Sequence, residues 1–169
     1  MTWITLLKGV NVGGKNILPM ATLRAALADA GLQNVRTYIQ SGNILHDGGN
    51  EDAIIAQILD EQFDIQCEVV GLSADTWKGA VETCPAPDDD PKLVHLYVPT
   101  NPTTVDTAAL QAQGTAGEQV WWQRDILYLY TPNGFSRSKL AEKLPRLLSV
   151  PFTARNLNSA RKILALSQQ

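Results

Sequence analysis

Apolar residues recur along this chain in two rhythms. Short runs with a period near two read as strands, and longer stretches with an apolar residue every three or four positions read as helices. Residues 3–8 form the first run. In residues 19–30, Leu23, Ala26, Leu27 and Ala30 share one helical face. Pro19 suits the first position of that helix and Gly31 the position just past its end. Residues 35–39 and 43–46 are predicted as strands joined by the turn Gln40-Ser41-Gly42-Asn43, where Gly42 or Asn43 can take a positive φ. Ile54, Ile55, Ile58, Leu59 and Phe63 then repeat at helical spacing, and residues 66–71 return as a strand. The order is βαββαβ, that of the ferredoxin-like fold.

Ser73 suits the cap of a further helix reaching Thr83. Residues 85–91 contain three prolines and three consecutive acids, and read as a linker with a solvated charge run. The series then resumes. Strands are predicted at 93–98, 118–123 and 126–131, with a short helix at 104–111 before the hairpin around Arg124-Asp125. A helix at 136–148 carries Leu140, Leu144 and Leu147 on one face, Ser136 at its cap, and Pro145 to bend or split it. A short strand at 152–155 and a last helix at 157–166, capped by Asn156, close the chain. The expectation is an α+β protein of two ferredoxin-like halves, residues 1–84 and 92–169, with an extra C-terminal helix.

At 169 residues and 44% apolar composition the chain is long and apolar enough to bury a core. No apolar run reaches the ~18 residues of a membrane span. The opening residues read as a strand rather than a signal peptide, and Cys67 and Cys84 lack a CxxC or His neighbour, so a reducing, cytoplasmic setting is expected. The net charge of −3 argues against coating nucleic acid by bulk charge. Its distribution says more. Residues 1–36 hold four bases and one acid, residues 47–90 one base and twelve acids, and residues 137–169 seven bases and one acid. Both ends of the chain are basic around an acidic middle.

Candidate chemistry gathers in four segments. Residues 9–15 satisfy the spacing GxxxxGK after a strand and before a helix. A P-loop uses such a turn to aim backbone amides and a lysine at phosphates, but follows the lysine with Ser or Thr to hold Mg²⁺. Here Asn16 follows, and the helix starts too late. What is left is a looser anion site, or a glycine turn. The second segment is the turn at 40–43, with amide side chains at the hairpin end. The third is Pro132-Asn133-Gly134-Phe135-Ser136-Arg137-Ser138-Lys139, which places Arg137 and Lys139 in the first turn of a helix. The dipole there disfavours bases by a few tenths of a kcal/mol, unless an anion binds. The fourth, at residues 153–159, sets Arg155 just outside the Asn156 cap. His46 and His95, the only histidines, have no Ser or Cys in a nucleophile motif; His95 lies inside an apolar strand and reads as a packed residue. The alternating Trp121, Trp122, Tyr128 and Tyr130 read as sheet packing rather than a base-stacking platform.

These segments resemble a bacterial domain-of-unknown-function family, number sixteen ninety-seven. The resemblance rests on residues 9–16 with Pro19-Met20, residues 36–43, residues 132–140 and residues 153–159. Lys8 stands where that family usually has Arg, Ser136 where it has Gly, and Leu157 where it has Trp. The resemblance implies the two ferredoxin-like halves and no activity. The residues themselves point to binding of a phosphorylated or otherwise anionic ligand, a nucleotide or nucleic-acid strand, in a basic pocket formed by loops of both halves. Its expected members are Lys8, Asn11, Lys15, Asn16, Gln40, Asn43, Asn133, Arg137, Ser138, Lys139, Arg155 and Asn156. No cofactor, metal or catalytic residue is expected. An enzyme of phosphoryl or acyl-group chemistry, and a structural or protein-interaction protein, are the alternative readings.

Overall fold

In a computed structural model, which describes residues 1–115 and 117–169, β1 (Thr2–Leu7) lies between β3 (Asn43–Asp47) and β4 (Val69–Ser73). β2 (Gln33–Tyr38) pairs on the far side of β3, giving a four-stranded antiparallel sheet in the order β2-β3-β1-β4. α1 (Met20–Asp29) and α2 (Asp52–Phe63) pack on the face that carries Leu7 and Ile44. The spacing explains α1: Met20, Leu23, Ala26 and Leu27 are its buried positions. It ends in a Schellman motif, with Gly31 N–H on Ala28 O, Leu32 N–H on Leu27 O, and Gly31 at φ 98°. α2 buries Ile55, Ile58 and Leu59 and ends on Asp64 in the left-handed region. β4 starts later than its apolar pattern suggests because its register is set by β1, where Trp3 faces Ser73 and Leu7 faces Val69.

α3 (Ala74–Glu82) follows at once, capped by Ser73, whose hydroxyl accepts the Thr76 N–H at 3.1 Å. A 3-10 turn at Pro91–Leu93 then leads into β5 (Val94–Pro99). It is capped by Asp90, and Asp88 pairs with Arg161 at 2.6 Å, so two of the three linker acids have partners.

The same order repeats with α4 (Thr107–Ala112), β6 (Gln119–Gln123), β7 (Ile126–Tyr130), α5 (Lys139–Leu147) and β8 (Phe152–Asn156). Its sheet runs β6-β7-β5-β8, again antiparallel. Leu110 of α4 with Leu140 and Leu144 of α5 pack on Tyr97, Leu127, Leu129 and Phe152. α4 starts three residues later than expected because Asp106 caps it, accepting the Ala109 N–H at 3.0 Å. Arg124 and Asp125 both take positive φ, so the β6–β7 hairpin closes on a type I′ turn. Tyr128 is fully buried and its hydroxyl donates to Ala80 O at 2.7 Å, while Trp122 meets Phe152 edge to face. These are packing roles.

α6 (Leu157–Ser167) closes the chain. The protein is α+β with two ferredoxin-like four-stranded sheets. It divides into two units, Met1–Gly79 with Ile163–Gln169, and Ala80–Lys162. Among the described residues no helix is long and apolar enough to cross a membrane.

Candidate functional site

In the first unit, the chain leaves β1 and folds residues 11–16 into a small hairpin before α1. Asn11 N–H donates to Asn16 O and Lys15 N–H to Val12 O, both at 3.0 Å. Gly13 and Gly14 at the tip have φ 59° and 73°, the successive left-handed pair of a type I′ turn. The GxxxxGK spacing therefore builds a hairpin finger, and the amides of Asn11 and Lys15 are spent inside it.

The turn at 40–43 meets this finger. The Asn11 side chain accepts the Leu18 N–H at 2.7 Å and donates to Leu18 O at 3.0 Å and Gln40 O at 2.6 Å. Leu7 N–H donates to Gly42 O at 2.9 Å, and Asn16 donates its side-chain amide to Gly9 O at 3.0 Å. Asn43 turns inward, fully buried, and donates to Tyr38 O and Ser41 Oγ. Two segments far apart in sequence thus form one braced rim at the end of β1. Lys8 on it is half-buried, and Lys15 and Gln40 are exposed. Among the described residues neither lysine pairs with a carboxylate.

Ile39 adds a feature absent from the sequence reading. It has φ 50°, a conformation rare for a β-branched residue, and is 48% exposed. Val12 and Ile17, on the finger and just past it, are exposed as well.

In the second unit, Asn133 stands exposed on the turn after β7, and residues Phe135–Arg137 form a 3-10 turn. The cap of α5 is Ser138, not Ser136: the Ser138 hydroxyl accepts the Ala141 N–H at 3.0 Å. Two contacts fix this shift. Ser138 donates its hydroxyl to the Glu118 carboxylate, and Phe135 stacks on His95, which holds the preceding turn outside the helix. Thr115 supplies Glu118 with two more hydrogen bonds at 2.8 Å. Burial pushes Glu118 up, but the hydrogen bonds from Ser138 and Thr115 outweigh it and hold the carboxyl below its ordinary value. Arg137 consequently lies before the helix, exposed and without a carboxylate partner among the described residues. Lys139 enters α5 and pairs with Glu142 at 3.5 Å in solvent.

Arg155 is a strand residue facing Leu96, 8% exposed. Its guanidinium donates to Thr153 Oγ1 and Ala154 O. Burial lowers its pKa to about 10, so it stays charged at neutral pH. Asn156 caps α6, accepting the Ser159 N–H at 2.8 Å.

His95 lies between the third and fourth segments. It pairs in register with Asn156 on one side, and its ring stacks on Phe135 with centroids 3.8 Å apart and 19° between planes. Its Nδ1 is buried without a partner, and burial pushes its pKa down to about 4. It is neutral at pH 7. His46 is fully buried in β3. Among the described residues no three His, Cys, Asp or Glu come together as a metal site would need.

Sequence reasoning did not single out Ile39, Glu118 or Phe135. Ile39 and Phe135 lie inside the quoted segments, but nothing local marks a strained backbone or a stack on a distant strand. Glu118 carries no motif at all.

The model of a family described as "Protein of unknown function (DUF1697)" matches residues 1–128. No curated protein matches the chain. A solved structure, that of the conserved bacterial protein SP0830 from Streptococcus pneumoniae, is similar over 98% of both chains, with a TM-score of 0.76 and 24% identity. That likeness concerns the fold.

Proposed function

The chain belongs to the DUF1697 family of proteins of unknown function, and we propose that it binds a phosphorylated or otherwise anionic ligand, a nucleotide or a nucleic-acid strand, through the cations of these loops. One observation carries the reading. Lys15 in the first unit and Arg137 in the second are exposed cations, set on turns fixed by other side chains, with no carboxylate partner among the described residues. On a braced turn the backbone is already ordered, and only the side chain has to be fixed when a ligand binds. Lys8 and Gln40 supply further donors beside Lys15, and Asn133 supplies one in the segment of Arg137.

A purely structural role accounts for Asn11, Asn16, Asn43, Ser138 and Asn156, whose side chains bond within their own unit. It does not account for Lys15 or Arg137. Strain at Ile39, next to Gln40, also favours a binding role, since such residues gather at ligand clamps. Cys67 and Cys84 are both free, which suits the cytoplasmic setting included in this reading.

The test is a thermal-shift series with nucleotides, phosphorylated sugars and short oligonucleotides, at low and high salt. A binder at a hundredfold its Kd stabilises the fold by about 2.7 kcal/mol. The gain should shrink with salt, and Lys15→Ala or Arg137→Ala should lessen it. If no anion stabilises the protein at low salt, or if both variants respond as the parent does, the reading is wrong.

A further inference from the structure

The second unit contains a cavity of about 330 Å³ away from the loops described above. It opens where two helices stop. α4 has only six residues, and α5 stops at Leu147, with Leu148 already extended at ψ 141°. The wedge between these ends is floored by Val105, Leu110, Leu148 and Phe152, which also pack into the core of the unit. Asp106 and Gln113 stand on its rim.

Size and charge narrow what fits. An apolar cavity of about 150 Å³ holds benzene, so this one has room for on the order of ten to fifteen non-hydrogen atoms. Asp106 is the one charged residue of the lining. One of its oxygens caps α4 through the Ala109 N–H, and the other has no partner among the described residues. An anion would meet repulsion here, so this site is separate from the cationic loops. We infer that the cavity binds a small apolar molecule carrying a protonated amine, its body on the leucines and Phe152 and its ammonium on the Asp106 carboxylate.

Amide NMR spectra of the full chain test this with two probes of one ring system, tryptamine and indole-3-acetate. Tryptamine should shift the resonances of residues 104–113 and 147–152. Indole-3-acetate should bind about two- to fivefold more weakly, the worth of a partly exposed ion pair. Ala109→Phe, a change at an exposed lining position, should fill the cavity and remove the shifts. Asp106→Asn, which keeps a capping side chain, should bring the two probes to equal affinity. Shifts elsewhere in the chain, equal binding of both probes to the parent, or unaltered binding to Ala109→Phe would each overturn the assignment. So would shifts at the same residues that depend on protein concentration without any probe, which would place a second copy of the chain there.

Discussion

His95 lies in β5 under the Phe135 ring, with Nδ1 unpartnered and burial holding its pKa near 4 instead of 6.5. The unfolded chain therefore binds a proton that the folded one refuses. Stability must fall as pH drops from 6.5 towards about 4, and this contribution levels off below that. Glu118 and Asp47, both held low, add a loss at the acid end as they protonate. His95→Phe should flatten the upper part of the curve, read as melting temperature against pH, and leave the acid limb in place. An unchanged slope between pH 6.5 and 4 would show that His95 is not the group responsible. The sequence read this histidine as packed, from its place in an apolar strand. It held no sign of the ring above it, because a stack between distant residues leaves no local periodicity. The same limit applies to the asparagines. Composition marked Asn11, Asn16 and Asn43 as donors on loops, but whether an amide faces solvent or its own backbone depends on where the chain turns.

Turns and caps are where local chemistry and tertiary contacts compete. Gly13-Gly14 and Gly42 were both legible as turn glycines, yet their surroundings differ. A Cβ at Gly13 would meet nothing within 4 Å, while one at Gly42 would come 2.7 Å from Leu7 Cβ and 2.8 Å from Val10 Cγ2. Both have positive φ. Gly13→Ala should therefore cost only the left-handed penalty, about 1 kcal/mol. Gly42→Ala should cost about 1–3 kcal/mol more through overpacking, and should disturb the rim that carries Lys15. Urea unfolding of the two variants gives the comparison; equal destabilisation would mean that the two loops are not wedged together as described. The cap of α5 shows the opposite outcome. Ser136 and Ser138 are equally good caps by residue type, and the buried Glu118 on the neighbouring hairpin, with the Phe135 stack on His95, selects Ser138. A preference of that origin is invisible to a reading that moves along one helix at a time.

On the scale of the chain, the order βαββαβ was legible twice because each strand and helix has its own period, and so few ways of connecting them exist that the sheet order follows. The grouping of the C-terminus rests on different physics. The apolar spacing of α6 says that it has a buried face but not which sheet receives it. Its last residues, Ile163–Gln169, fold with the first unit: Ile163 is fully buried, Leu164 nearly so, and Arg36 of β2 donates to Leu166 O at 2.7 Å. That bond ties an edge strand to a segment at the other end of the sequence. Ending the chain after Lys162 should then loosen β2 in particular, lowering hydrogen-exchange protection at residues 33–38 more than at residues 119–130 of the second sheet. Arg36→Ala should reproduce part of that loss without removing any apolar residue. If truncation lowered protection evenly across both sheets, the terminal segment would be a general stabiliser, and its assignment to the first unit would fail.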